Sequence, residues 1–252
     1  MTFDVPADRY DRYMGRYSRH LSAQMADLAG VTAGQRVLDV GCGPGALTAE
    51  LVSRLGEASV AAVDPSEPFV AAALERNPGV DVRRASAEQL PFEDGAFDAA
   101  IAQLVVHFMT NPVGGVTEMR RVTRAGGVVA ACVWDHGSGQ GPLSLFWEGA
   151  HLLIPDVPDE SQLPGAREGH LAELFAAAGL RDVRASLVTA SVEHASFDAW
   201  WELFTYGIGP AGGYLLSLDP ERQDELRETC RALVPSGPFV LNVRAWAARG
   251  LA

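Results

Sequence analysis

The sequence predicts an α/β fold: a mostly parallel seven-stranded sheet with helices on both faces and a helical insertion before the last strand. Three observations predict it. Apolar strand-like runs alternate with helical patterns at least four times in the first half of the chain, the signature of a parallel sheet wrapped by helices. A glycine-rich turn follows the first run, where such sheets bind ligands beyond the strand ends. The 252 residues are enough for one large α/β domain with a generous core.

Each element has a local reason. Residues 8–29 carry Tyr10, Tyr13, Tyr17, Leu21, Met25 and Leu28 at spacings of three and four, an amphipathic helix with a break expected near Gly15. Strand 36–40 leads into helix 46–55, which ends near Gly56, and strand 59–64 follows. Ser66 is placed to cap a helix running to about Arg76, stopped by Asn77-Pro78-Gly79. Strands are expected at 80–84 and 97–104. Asn111-Pro112 starts a helix reaching about Thr123, with proline at its first position. Gly126-Gly127 launches strand 128–134. Beyond it the pattern loosens: helices near 146–154, 169–178, 197–205 and 221–233, and strands at 183–192 and 238–247. Gly179 stands as the residue after a helix end.

Composition excludes several functions. Formal net charge is −12, and all twenty cationic residues are arginine. A chain this acidic repels a phosphate backbone, so no nucleic-acid partner is expected; Arg83-Arg84 and Arg120-Arg121-Arg124 are the only basic clusters. Without lysine there is no lysine base or Schiff base. Cys42, Cys132 and Cys230 fit neither a disulfide framework nor a zinc site, and read as buried thiols. No apolar run reaches the ~18 residues of a membrane helix. Met1–Pro6 lacks the basic-then-apolar pattern of a leader, which points to a cytoplasmic protein.

Val37-Leu38-Asp39-Val40-Gly41-Cys42-Gly43-Pro44-Gly45 is a buried strand feeding a tight turn at a helix N-terminus, where backbone can approach a ligand closely. Gly41-x-Gly43-x-x-Ala46, with Asp64 downstream, also satisfies the dinucleotide fingerprint, so an NAD(P)-dependent oxidoreductase is one reading. Asp39 argues against it, because a carboxylate two residues before the first glycine repels a diphosphate. The same carboxylate suits an ammonium, held directly or through water.

At these residues the chain resembles the class I S-adenosylmethionine-dependent methyltransferases, of the Rossmann-like methyltransferase fold. The resemblance continues through Ala61-Ala62-Val63-Asp64, Ser86–Asp98 and Arg121–Gly127, in order, over about residues 35–135. It implies S-adenosyl-L-methionine as cofactor and methyl transfer to a small-molecule acceptor, at a C, O or N atom left open. It further implies one methyltransferase domain over 1–252, with an N-terminal helical cap (1–33), a cofactor-binding core (35–135) and a C-terminal part (136–252) carrying a helical lid insertion near 196–235. A cofactor-binding but catalytically idle module is the remaining alternative.

The resemblance also assigns roles. Gly41, Gly43 and Gly45 would line the methionine part of the cofactor. Asp64, beside Pro65, would accept from both ribose hydroxyls, unless it merely caps the next helix. Ala87 would meet the adenine edge, with Ser86 standing where the family often has an aspartate. Glu88 is either a solvated loop charge or an adenine-side contact. Gln103 would face the reactive end. Tyr10–Ser18 looks like the family's N-terminal cap. In it Arg16 is expected to pair with the methionine carboxylate and Tyr13 to pack nearby, a solvated arginine and a packed tyrosine being the alternatives.

The donor is already activated, so alignment is the main task, with reacting atoms about 3–3.5 Å apart. His107, just after strand four, is the candidate base, since an unperturbed imidazole titrates near ~6.5; lining the pocket wall is its other reading. His136 is a weaker candidate. The Asn/Asp-Pro-Pro-aromatic motif of many N-methyltransferases is absent, and no metal cluster is suggested. Phe197, Trp200, Trp201, Phe204, Tyr206 and Tyr214 enrich the insertion in aromatics. Trp200, Phe204 and Gly207-Ile208-Gly209-Pro210 could form a lid over an apolar or aromatic acceptor, or could simply pack on the sheet. Strands 183–192 and 238–247 would make a hairpin split by this segment, which could reach the active site or the second subunit of a homodimer.

Overall fold

The computed structural model describes residues 6–252, so the leader reading of Met1–Val5 lies outside the described residues. Seven strands form one sheet: β1 (Val37–Val40), β2 (Val60–Asp64), β3 (Asp81–Arg84), β4 (Phe97–Gln103), β5 (Thr123–Trp134), β6 (Arg181–His194) and β7 (Phe239–Leu251). Their order is β3-β2-β1-β4-β5-β7-β6. The first five are parallel, and β7 runs antiparallel to both β5 and β6. Chain order reverses across the β1–β4 neighbourhood, the crevice where open parallel sheets take their ligands.

Helices α1 (Ala7–Tyr10), α2 (Arg16–Ala29), α3 (Ala46–Leu55), α4 (Glu67–Arg76), α5 (Pro112–Val122), α6 (Ser144–Leu153), α7 (His170–Ala177), α8 (Phe197–Trp201), α9 (Gly209–Ser217) and α10 (Pro220–Ala232) cover the sheet. Alternate residues of each strand point to opposite faces, and two cores result. Val37, Ala62, Ile101 and Cys132 pack with α2, α3 and the insertion aromatics. Leu38, Val63, Ala100 and Val133 pack with Met119 of α5 and Phe175 of α7. All three cysteines are buried and free.

The expected helix breaks and boundaries shift where side chains intervene. Gly15 does not interrupt the first helix; residues Asp11–Gly15 widen into a π turn that carries on into α2. A side chain at Gly15 would stand 2.7 Å from Asp11 Oδ1. Ser66 precedes α4 as expected but makes no side-chain cap; Asp64 Oδ1 accepts the Ser66 N–H instead, at 2.8 Å. Asn111 does cap α5, accepting from Gly114 N at 3.0 Å. β5 begins at Thr123 rather than after the glycines: Thr123 pairs with Phe97, and a register shift then carries the chain past Gly126 at φ +76° to the Val128–Ala99 pair. The run 207–210, read as lid loop, opens α9, with Pro210 in its first turn where a missing N–H costs nothing. The expected hairpin is present as β6–β7, with residues 195–238 spliced between its arms.

Each basic residue of the Arg83-Arg84 pair and Arg121 and Arg124 faces a carboxylate: Asp81, Glu67, Glu118 and Asp98 respectively. These guanidiniums are therefore committed to local ion pairs. Among the described residues, no helix is long and apolar enough to cross a membrane.

Candidate active site

The glycine loop is built by β1 handing its hydrogen bonds to β2. Gly41 and Cys42 both donate to the Val63 carbonyl, at 2.8 and 2.9 Å, which turns the chain sharply at the strand end. Gly41 sits at φ +71°, and a β-carbon there would come within 2.5 Å of Val105 Cγ2. Only glycine satisfies both demands. Gly45, at φ +95°, starts α3.

Asp39 lies beneath this loop and is 1% exposed. Its Oδ2 accepts from Thr48 Oγ1 of α3 at 2.6 Å, while Oδ1 is buried with no partner. Burial pushes its carboxyl up to about 7, with the Thr48 hydrogen bond pulling back and the nearby Asp64 charge adding to the rise. Gln103, at the end of β4, donates to the Ser18 carbonyl at 3.0 Å, and its Oε1 is likewise buried and unpartnered. Asp39, Gly41, Gly43 and Gln103 line one small cavity of about 30 Å³. Two orphaned acceptors in one place are an invitation to a donor such as an ammonium.

Above it opens a cleft of about 740 Å³, lined among others by Gly41, Gly43, Asp64, Pro65 and Gln103, a size usual for cofactor sites. Asp64 closes one wall. Its Oδ2 accepts from Gly43 N at 2.9 Å and its Oδ1 from Ser66 N, so it does help to start α4. Two carboxylate oxygens offer about four lone-pair sites, which leaves capacity for further donors. Burial raises its pKa, against those two backbone bonds. Tyr10 packs on Phe69 with ring centroids 5.0 Å apart and lines both cavities. The π turn is held there by Arg76, which donates to Asp11 at 2.7 Å and to the Pro44 carbonyl at 3.0 Å.

A third, inner pocket of about 30 Å³ adjoins the cleft, sharing Tyr10, Leu104 and Phe108 with it. Tyr13, His107, Trp134, His136 and Glu160 complete its walls, with Gly209 and Pro210 at the start of α9. Tyr13 Oη and His107 Nδ1 are buried without partners. Burial, reinforced by His136, holds the His107 pKa well below the ordinary imidazole value, so the ring is neutral.

Not every expected residue reaches these cavities. Arg16 is turned away: its Nη2 donates to the Glu193 carbonyl at 2.5 Å and its Nη1 meets His194 Nδ1 at 3.5 Å. The reason is the π turn, which rotates the start of α2 so that Arg16 and Tyr17 face β6; Tyr17 Oη lies 2.8 Å from His194 Nε2. Ser86, Ala87 and Glu88 line none of the cavities described. Glu88 accepts the Ser86 hydroxyl and the backbone N–H groups of Thr110 and Asn111, tying the loop after β3 to the start of α5. Of the lid aromatics, Trp200 and Phe204 are wholly buried, with Phe204 stacked 4.6 Å from Phe146; they pack, and only Gly209 and Pro210 reach the pocket. Sequence reasoning named Tyr10 only in the helical pattern and at the start of the cap, with no role of its own, and did not name Glu160. Tyr10 carried the helical spacing that marks a core position, and Glu160 sits in irregular chain with no pattern to read.

Similarity to known proteins points to methyltransferases. A family model described as a methyltransferase domain matches residues 38–131. The demethylmenaquinone methyltransferase of Renibacterium salmoninarum is 29% identical over 68% of this chain and 73% of its own length. That of Beutenbergia cavernae is 37% identical over 50% of this chain, which spans about half (53%) of that relative. A solved structure of Haemonchus contortus phosphoethanolamine N-methyltransferase 2, bound to phosphomonomethylethanolamine and S-adenosylhomocysteine, shares the fold. It gives a TM-score of 0.60 at 18% identity, over 99% of this chain and 57% of that one. The dinucleotide alternative finds no support in any of these. The chain carries a methyltransferase domain over residues 38–131, and the relatives and the fold together support a class I S-adenosylmethionine-dependent methyltransferase with S-adenosylmethionine as methyl donor.

Proposed function

We propose that this enzyme methylates a small aromatic, largely apolar acceptor bearing a ring hydroxyl, a hydroquinone in its chemistry. The observation that carries the reading is the inner pocket: apolar and aromatic walls around two buried polar atoms, Tyr13 Oη and His107 Nδ1, that have no partner within the protein. At about 30 Å³ the pocket has room for a hydroxyl, which answers the orphans, while the apolar ring would lie in the adjoining cleft of about 740 Å³. The names of the two bacterial relatives, demethylmenaquinone methyltransferases, point to the same chemistry.

S-adenosylmethionine, when bound, supplies an electrophilic methyl on a sulfonium. The chain's residues fit it. Asp39 Oδ1 and Gln103 Oε1 would take the ammonium, Gly41 and Gly43 would leave room for the methionine part, and Asp64 beside Pro65 would accept ribose hydroxyls. Tyr13 and neutral His107 would orient the acceptor hydroxyl, and the pocket walls would exclude water. Free, buried thiols suit a cytosolic enzyme.

Purified protein given S-adenosylmethionine and, separately, 1,4-naphthohydroquinone, an alkylamine and phosphoethanolamine tests this. Mass spectrometry should find adenosylhomocysteine and a methylated product with the hydroquinone. Methylation of the amines alone, or of none, would refute the acceptor class.

A further inference from the structure

Glu160 closes the inner pocket and is 4% exposed. Together with His136 it also forms a wall of a second, polar cavity of about 500 Å³, lined by Ser138, His151 and Asp159. It thus stands between the methyl-transfer end of the cleft and a separate route to solvent. Trp147 Nε1 donates to its Oε2, and no hydrogen bond reaches Oε1 from the described residues.

The groups facing it are Tyr13, His107 and His136 on the pocket side, and Glu148, His151 and Asp159 on the polar side. None is an arginine. A buried carboxylate without a cation is costly, and the Trp147 N–H could be satisfied by a neutral acceptor. Structure alone does not account for an acid here. We infer that Glu160 is the catalytic base, which receives the proton of the acceptor hydroxyl and releases it into the polar cavity. This rests on the hydroxyl-bearing acceptor proposed above.

The balance is simple. Transfer from a sulfonium to a neutral hydroquinone must release one proton. The acceptor O–H bond breaks and its proton goes to Glu160 Oε1, leaving its electron pair on the phenolate. The phenolate forms the new bond to the methyl carbon, and the S–CH₃ pair returns to sulfur. If a ring carbon is methylated, its displaced proton replaces the one taken from oxygen, so one proton still leaves. Burial pushes the Glu160 carboxyl up to about 7, against the Trp147 hydrogen bond and with the Asp159 charge adding to the rise, which matches a base working near neutrality. His107, the base suggested by sequence, is held neutral by desolvation and is the weaker proton acceptor.

Wild type, Glu160→Gln, Glu160→Asp and His107→Gln should be compared for kcat and KM with 1,4-naphthohydroquinone from pH 5 to 9. Glutamine can still accept from Trp147. Glu160→Gln should lower kcat about 100-fold or more, erase the acidic limb of the kcat profile, and leave adenosylhomocysteine affinity within about twofold; Glu160→Asp should recover part of the rate. Wild-type kcat with an intact acidic limb in Glu160→Gln, or loss of that limb only in His107→Gln, would overturn the inference. Infrared difference spectra of the adenosylhomocysteine complex give a readout without turnover. A protonated-carboxyl band should fade through about pH 7, be missing in Glu160→Gln, and shift when naphthohydroquinone is added; absence of such a band overturns the inference. Should wild type leave the hydroquinone unmethylated, the acceptor reading fails, and the infrared band still decides for or against Glu160.

Discussion

Asp39→Asn exchanges a buried carboxylate for an amide of nearly the same shape, and its two effects should have opposite signs. In the free protein the folded carboxyl has its pKa raised from the ordinary 3.8 to about 7. A raised carboxyl contributes stability that is fully present below about pH 4 and lost as pH rises through about 7. By pH 8 the ionised form costs roughly 4 kcal/mol. The amide removes that cost but points an unpartnered NH₂ where Oδ1 stood, at about 1–3 kcal/mol. The net should be a gain of about 1–3 kcal/mol at pH 8, seen as a higher Tm. Ligand binding should suffer instead. Losing a hydrogen bond to a charged partner costs about 1.5–3 kcal/mol, or roughly 10–150-fold in Kd. Because binding an ammonium requires the carboxylate ionised, wild-type affinity for adenosylhomocysteine should be about tenfold weaker at pH 6 than at pH 8, and the variant should lack this dependence. Calorimetric titration at both pH values, with thermal unfolding alongside, reads all three. Unchanged affinity in Asp39→Asn would refute the placement of the ammonium at Oδ1, and a lower Tm at pH 8 would refute the raised carboxyl pKa.

Gly41→Ala should destabilise by about 2–4 kcal/mol, from the left-handed backbone and the Val105 clash together; denaturant unfolding checks it. Arg16→Ala should leave adenosylhomocysteine Kd within about twofold, since its guanidinium is spent on Glu193 and His194, and a tenfold loss would return it to the cofactor. Glu88→Ala should lower stability by about 0.5–1.5 kcal/mol by removing its hydrogen bonds to the exposed Thr110 and Asn111 N–H groups, with a smaller effect on cofactor binding; thermal unfolding checks it.

How much of this could be read in advance follows from how far apart the interacting residues lie in sequence. Helix 46–55 and the switch from strand to helix at Gly41–Gly45 were read closely, because strand, turn and cap fall within one short run. Asp64 was flagged because it stands at the acidic end of strand two, at the right distance after the glycine loop. Arg16 faces β6 in the structure rather than the cleft: which way it turns depends on a single extra residue in the π turn at 11–15, a change in winding that leaves the apolar spacing intact. Ser86–Glu88 was matched by motif, yet Glu88 is drawn off by two backbone N–H groups at the start of α5, more than twenty residues away.

By itself, then, the sequence determined the alternating α/β architecture, the split hairpin and the loop suited to the methyl donor. Periodicity, glycine conformational freedom and a misplaced-looking carboxylate at Asp39 are local signals. The tertiary structure decided which residues share the inner pocket. Tyr13 from the π turn, His107 after β4, His136 after β5, Glu160 from the 154–169 connection and Gly209 at α9 share one pocket only because the sheet order brings their strand ends together. No spacing along the chain encodes that convergence, and burial at that meeting point is what gives Glu160 and His107 their altered proton affinities.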